Sequence, residues 1–320
     1  MKRYLVTGAG GFIGRVLCER LEREGARVYR LSRNAAGSDA IAADLGRDAI
    51  PELDDVRLDA AFHLAARVHI VDDGHDAEAE HTRVTVEGTR DLLRAASDAG
   101  AGAFVFFSTC AVMPEGSSSA MDETASPEPT TSYGRAKLRA EALVLDMNGK
   151  GGMRTVCIRL PMVYGPGHKG PLARMIRAID RGVFPPLPEY PGKRSLIHVE
   201  DAVRAAMLVA AKPEAAGKVY IVAEPRAYSS REIYEIVLES LGRRPPAWGL
   251  PRGVLATAAV IADLGERLTG RRIPFNSAAL SKLSRPAVYS AVKIERELGF
   301  KTQRSFALAA RELVTGRQAR

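Results

Sequence analysis

Tryptophan occurs once and cysteine three times in the 320 residues, and aromatic side chains make up only 6% of them. The spacing of Cys18, Cys110 and Cys157 suits neither a zinc site nor a disulfide framework, and the odd count points to a reducing, cytoplasmic setting. His69, His75 and His81 recur at six-residue steps, which do not share a helix face, so no metal is expected. Lysine and arginine number 46 against 38 acids, giving a net charge of +8. The cations are scattered, densest at Arg243-Arg244 and Arg271-Arg272, and no basic cluster marks a nucleic-acid surface. The balance still suits an anionic small ligand. No membrane partner is expected either. The most apolar later stretch, Val254 to Leu264, is too short to span a bilayer and is broken by Asp263, so it reads as a packed helix. The opening Met1-Lys2-Arg3 leads into an apolar run that a glycine turn ends within a few residues, too short for a signal-peptide core.

What is present is an alternation. Tyr4 to Val6, Val28 to Leu31, Ala60 to Leu64 and Phe104 to Phe107 read as short buried strands. Between them, helices are expected at Gly14 to Arg23, Glu80 to Ala99 and Ser132 to Asp146. Strands alternating with helices give an α/β fold with a parallel, doubly wound sheet. After about residue 165, prolines punctuate the chain, and helices are expected at Leu172 to Arg181, Ser230 to Leu241, Arg252 to Leu268, Val292 to Leu298 and Ser305 to Val314. The expected division is a sheet domain over 1–165, to which 196–225 returns, and a smaller, partly helical C-terminal substrate domain over 166–320. The smaller part would sit over the carboxyl ends of the strands, where ligands of open α/β sheets bind.

Thr7-Gly8-Ala9-Gly10-Gly11-Phe12-Ile13-Gly14 follows the first strand and opens a helix. Gly8 permits a tight turn, Gly11 lets a pyrophosphate approach the backbone, and Gly14 lets helix and strand pack closely. Phosphates then meet the free N–H groups and the positive end of the helix dipole. The turn, with Gly10, Phe12 and Ile13 in it, is therefore a dinucleotide cradle. At the end of the second strand an acid would hold the adenosine ribose and repel an added phosphate. The chain has Leu31-Ser32-Arg33-Asn34 there. Ser32 and Arg33 can both bind a 2′-phosphate, so NADP(H) is favoured and NAD(H) stays possible.

Tyr133 and Lys137 stand four residues apart within an expected helix and so share a face. A free phenol titrates at about 10. A neighbouring ammonium favours the phenolate, which makes Tyr133 a candidate proton carrier.

The glycine spacing, Tyr-x-x-x-Lys, Arg159 to Gly167, Lys193 to Asp201 and the closing Lys293 to Phe300 together resemble the extended short-chain dehydrogenase/reductase family. Within it, the NAD-dependent epimerase/dehydratase type, and nucleotide-sugar 4-epimerases and 4-keto-sugar reductases in particular, are most similar. The resemblance covers nearly the whole chain. It implies a Rossmann sheet, and a Ser or Thr at the end of strand Phe104 to Phe107 that bonds the reacting oxygen. Aligned on Val112, Thr109 takes that place, with Ser108 the alternative if the register is off by one. It further implies that Lys137 holds the nicotinamide ribose, that Asp44 and Leu45 meet the adenine, and that Leu64, Ala65 and Ala66 run past the cofactor. Thr109, Cys110 and Arg194 fall on the substrate side, Arg194 matching the arginine that contacts a substrate diphosphate. A homodimer through the helices of Glu80 to Ala99 and Ser132 to Asp146 is implied as well. Val84, Leu92, Leu138 and Leu145 would lie on their outer faces or in the core.

Three departures bear on activity. Met162 and Thr85 stand where the family has Asn, and Cys110-Ala111 stand where the 4,6-dehydratases have Asp-Glu. Neither Cys110 nor Ala111 supplies the protons for eliminating water. A 4-keto-sugar reductase is favoured and a UDP-hexose 4-epimerase is the alternative. Reduction of a steroid or flavonoid ketone, and an inert NADP-sensing regulator, are more distant. The intact Thr109, Tyr133 and Lys137 set speaks against the last.

Overall fold

The computed structural model describes residues 1–34, 37, 39–51, 57–67, 75–117, 119–270 and 276–315. His69 and Arg271-Arg272 lie outside them. The first βα unit is β1 (Arg3–Thr7) and α1 (Phe12–Arg23), followed by β2 (Arg27–Ser32), β3 (Ala40–Ala42) and β4 (Ala60–His63). Helix α2 (His75–His81) runs through one wide turn, Thr82–Glu87, into α3 (Gly88–Asp98). Then come β5 (Ala103–Thr109), α4 (Ser132–Asp146), β6 (Arg154–Leu160), β7 (Met162–Tyr164), α5 (Pro171–Asp180), β8 (Lys193–His198), α6 (Val199–Ala211), β9 (Lys218–Ile221) and β10 (Ala227–Ser229). The remainder is helical: α7 (Ser230–Ser240), α8 (Arg252–Thr269), α9 (Ser277–Ser284), α10 (Val292–Leu298) and α11 (Phe306–Thr315).

Seven strands form one sheet in the order β3-β2-β1-β4-β5-β6-β9, each pair parallel. Strands covered on both faces need apolar residues at successive positions, and Ala103 to Ser108 are all buried. Helices α1 and α6 pack Leu17, Leu21, Ala202 and Val209 on one face. Helices α3 and α4 pack Leu92, Leu93, Ala140 and Val144 on the other. The architecture is the doubly wound parallel sheet that the alternation implied. Strand order reverses between β1 and β4, and a crevice opens at their carboxyl ends.

A second sheet joins β7 and β8 in parallel, with β10 antiparallel on β8. Its core holds Tyr164 and Tyr228 from β7 and β10, and Leu172, Ile176, Tyr234 and Phe306 from helices of the C-terminal half. From β8 the chain passes through α6 and β9 back to the large sheet.

One alternative is decided and one expectation needs correction. Leu92, open to an outer face or the core, is fully buried inside the monomer. Helix α8 is not packed all round: Leu255, Ala259 and Ala262 are buried, but Val260 and Ile261 are more than 60% exposed.

Helix α4 is clamped to the sheet by a buried ion pair. Arg159 on β6 donates from Nε and Nη2 to Glu141 at 3.0 and 2.7 Å, and the Ser108 hydroxyl donates to Oε1 of the same carboxylate at 2.5 Å. Both charged side chains are under 10% exposed. Removing one partner strands the other in a dry core. We predict that Arg159→Leu lowers stability by about 3–5 kcal/mol, and that Arg159→Leu with Glu141→Leu costs much less. Urea titration of both variants measures this, and equal losses would contradict it.

Candidate active site

The glycine turn occupies the mouth of the crevice. Gly8 has φ +67°, and a Cβ there would stand 2.9 Å from the Ala65 amide nitrogen. Gly11 donates its amide to the Gly8 carbonyl at 2.9 Å. A Cβ on Gly14 would fall 2.2 Å from the same carbonyl, and one on Gly10 would meet nothing within 4 Å. No side chain caps α1 and no acid lies in its first turn, so the amide groups around Phe12 and Ile13 face an open, positive helix end.

The turn is tied to β4 by a hydroxyl. Thr7 Oγ1 accepts from the Ala65 amide at 3.2 Å and lies 2.7 Å from His63 Nδ1, while His63 Nε2 lies 2.9 Å from Thr89 Oγ1. Burial, with Lys137 adding to it, holds the His63 pKa well below the ordinary imidazole value, so the ring is neutral. Leu64, Ala65 and Ala66, all half-buried, therefore run directly past Gly8. At the far end of the turn Arg15 approaches Gly167, and the Phe12 ring lies 5.2 Å from that of His168.

Ser32 ends β2 half-buried, and Arg33 follows it exposed. Among the described residues the Arg33 guanidinium has no hydrogen bond or ion pair. Asp44 is half-buried, 3.6 Å from Arg47, and the buried Leu45 accepts from Arg83 Nη1 through its carbonyl at 3.2 Å.

Thr109 ends β5, and its hydroxyl accepts from the Ala111 amide at 3.1 Å. The Tyr133 phenol neighbours it. Burial pushes that phenol up to about 12, and the Thr109 hydroxyl pulls the other way. This is the reverse of the lowering expected from a neighbouring ammonium. Instead Lys137 Nζ donates to the Phe107 carbonyl at 2.7 Å and lies 4.4 Å from the Phe106 ring. Burial brings Lys137 down to about 7, with the Glu141 carboxylate opposing the fall. Ser108 points away from this group into its bond with Glu141. The two neighbours on β5 thus face different environments, and Thr109 is the one beside Tyr133.

On the substrate side, the Cys110 thiol is buried with Ile221 and Ala223, and burial drives its pKa well up. Its carbonyl accepts from the Tyr289 hydroxyl at 3.4 Å. Tyr289 is held by Ser195, which accepts its amide at 2.9 Å, and it neighbours Arg194. Arg194 is partly buried, and desolvation lowers its pKa. Its guanidinium makes no hydrogen bond or ion pair among the described residues. Met162 lies in the small sheet, paired with Leu196. The Thr85 hydroxyl, in the wide turn after α2, is buried with no hydrogen-bond partner.

Sequence reasoning did not single out Glu141, Arg159 or Tyr289 as parts of this group. Glu141 was findable, since it stands one turn beyond Lys137 on the same face. Tyr289 arrives from 179 residues beyond Cys110, and no local signal announces it.

Among known proteins, residues 4–223 match the family described as NAD dependent epimerase/dehydratase. A UDP-glucose 4-epimerase of Vibrio cholerae is 29% identical over 288 residues, 84% of this chain and 86% of that protein. A 4-hydroxy-2-methyl-3-oxo-4-farnesyl-3,4-dihydroquinoline-1-oxide ketoreductase of Stigmatella aurantiaca is 29% identical over 314 residues, 93% and 91% of the two chains. The solved structure of MoeE5 in complex with UDP-glucose and NAD superposes with TM-score 0.77 at 27% identity, covering 99% of this chain and 100% of that one.

The clash at Gly14 is with backbone, which cannot swing aside. Gly14→Ala is expected to lose about 1–3 kcal/mol by overpacking, and Gly10→Ala to leave the thermal midpoint unchanged. Calorimetric melting of the two variants decides it, and a stable Gly14→Ala protein would show that the turn yields.

Proposed function

The chain belongs to the NAD-dependent epimerase/dehydratase family, an NAD(H)-dependent oxidoreductase type, and on that premise we propose that it reduces the 4-keto group of a nucleotide-activated hexose. The observation that carries this is the placing of Tyr133 beside Thr109 at the end of β5, with Lys137 one helical turn on and the glycine turn beside it. The fit of a dinucleotide rests on the uncapped start of α1 and the open space above Gly10. Gly8, Gly10, Gly11, Phe12, Ile13 and Gly14 would hold its pyrophosphate. Asp44 and Leu45 would hold the adenine end, with Leu64 to Ala66 alongside and Lys137 at the nicotinamide ribose. The bound dinucleotide supplies the hydride.

The chain's own work is to hold and move one proton. A phenol kept protonated up to about 12 is suited to donate to a carbonyl oxygen at neutral pH. The Thr109 hydroxyl, beside the phenol, would bond the same oxygen. A dehydratase is disfavoured, because Ala111 has no proton and Cys110 holds its own in the core. Arg194, partly buried and without a partner, is suited to a diphosphate, since a guanidinium fork matches phosphate oxygens. A second reading, UDP-hexose 4-epimerase, draws on the Vibrio relative; the reductase reading draws on Met162 and on the free Ser32-Arg33 pair. The division near residue 165, a cytoplasmic setting and a homodimer through α3 and α4 belong to this proposal. Incubation with a panel of UDP- and dTDP-hexoses and their 4-keto forms, with each cofactor, tests it. Net NADPH consumption on a 4-keto sugar supports the reductase, and cofactor-neutral inversion at carbon 4 would replace it by the epimerase.

Tyr133→Phe is expected to abolish turnover while the cofactor still binds. Activity within about tenfold of wild type, about 1.4 kcal/mol in barrier, would remove Tyr133 from the reaction.

Ser32 and Arg33 are expected to favour NADP(H). An arginine–phosphate contact contributes roughly 1.5–3 kcal/mol. Arg33→Ala should therefore weaken NADP(H) by about tenfold to a hundredfold and leave NAD(H) nearly unchanged, as read by calorimetric titration. Equal weakening of both cofactors would make Arg33 a surface charge only.

A further inference from the structure

The loops that follow β3 and β4 are joined through one carboxylate. Glu80, in the last turn of α2, receives the Arg83 guanidinium through two bonds, Nε to Oε2 at 2.9 Å and Nη2 to Oε1 at 2.7 Å. A bidentate fork of this kind fixes the guanidinium in orientation as well as in place. Its remaining nitrogen, Nη1, donates to the Leu45 carbonyl at 3.2 Å. Arg67, directly after the stretch Leu64 to Ala66, donates to the same Glu80 carboxylate. Glu80 thus reaches loop 44–46 through Arg83 and loop 64–67 directly. The Arg83 bond foremost, with Arg67 adding to it, holds the Glu80 carboxyl down to about 2 against its burial, so the anion persists at neutral pH.

Two glycines show that loop 44–46 is seated closely on the wide turn Thr82–Glu87 and the start of α3. A Cβ at Gly46 would stand 2.2 Å from the Arg83 carbonyl oxygen, and one at Gly88 would stand 2.8 Å from the Leu45 Cβ. Gly46 also has φ +73°, a left-handed backbone that a side chain disfavours. The wide turn carries one residue more than an α-turn, a swelling that recurs at functional sites, and Arg83 is its second residue. The two arginines differ in setting. The side chains of Glu80 and Arg83 are 20% and 19% exposed, whereas that of Arg67 is 53% exposed. The Arg67 bond, open to solvent, contributes little hold by itself. Arg83 therefore carries the hold on Leu45, and Arg67 extends it to the neighbouring loop.

We propose that Glu80 and Arg83 are positioning residues for the adenine end of the bound dinucleotide, which rests on the reading of Asp44 and Leu45 as the adenine contact. Neither side chain has to touch the ligand. Arg83 orders loop 44–46 before the ligand arrives, so that binding does not have to supply the ordering. Glu80 keeps the Arg83 fork turned to Leu45 and couples it to the loop that runs past Gly8. The adenosine half is common to NAD(H) and NADP(H), so this clamp acts on both cofactors equally, unlike Arg33.

The test is calorimetric titration of the full chain with ADP-ribose, NAD and NADP, together with amide hydrogen exchange of the ligand-free chain. Arg83→Met is expected to weaken all three probes by the same factor, about tenfold. It should speed exchange at residues 44–48 and leave the rest of the pattern unchanged. Glu80→Gln is expected to weaken the probes by only about threefold, because the amide oxygen still accepts one bond of the fork. It should speed exchange at 44–48 and at 64–67 alike. Arg83→Met binding the probes as tightly as wild type, or weakened toward NADP alone, would overturn the proposal. Faster exchange spread over the whole large sheet would also overturn it, by making Arg83 a general stabiliser. A wild type that binds none of the three probes removes the dinucleotide reading and this proposal with it. A wild type that binds them, with both variants equal to it, removes the clamp alone.

Discussion

The placement of α4 rests on one buried carboxylate. Glu141 receives Arg159 from β6 and Ser108 from β5, so a single group joins the helix to two adjacent strands. One turn earlier, Lys137 fastens the same helix to the Phe107 carbonyl. Two points fixed a turn apart set both the height and the rotation of a helix. Tyr133, one turn earlier again, then has no freedom except to face the end of β5, where Thr109 meets it. The charged pair contributes geometry more than net stability, because desolvation offsets most of the attraction. It also gives the Lys137 ammonium a carboxylate to lean on in a site where burial alone would favour the neutral amine.

The opposite wall of the crevice uses neutral groups for the same end. Thr7 links the glycine turn to Ala65 and, through His63, to Thr89. Burial keeps the imidazole uncharged, so the link does not titrate near neutral pH. The glycine turn and the Tyr133–Lys137 group are thus positioned by separate networks, one polar and neutral, the other ionic, on adjacent strands.

Much of this was legible in the sequence. Elements with a strong period appeared where the pattern put them: α4 runs over Ser132–Asp146, and β2 and β5 contain the apolar runs at Val28 and Phe104. The glycine turn and the Tyr133/Lys137 spacing depend on local geometry, which spacing encodes. Less legible was whatever depends on distant partners. Strand β6 was hidden because Arg159, which reads as a surface charge, is buried against Glu141. Leu92 read as a candidate for an outer face because periodicity cannot distinguish a core helix face from an interface. The apolar run of α8 read as packed for the same reason, since hydrophobicity says that a residue avoids water but not which surface shields it. Tyr289 reaches Cys110 only because the stretch from Ala287 lies along β8, and nothing near it in sequence forecasts that.

That last contact has a consequence for the order in which the molecule is made. The large sheet is complete in sequence at Ile221, once β9 has joined β6. The wall holding Cys110 and Arg194 needs Tyr289, and α6 is further held by Gln303 and Arg304, whose amides donate to Asp201 at 2.9–3.1 Å. Domains form from the amino end as synthesis proceeds. A growing chain can therefore own a finished glycine turn while the residues from 222 to Tyr289 are still being added, and for that time the wall of Cys110 and Arg194 is incomplete.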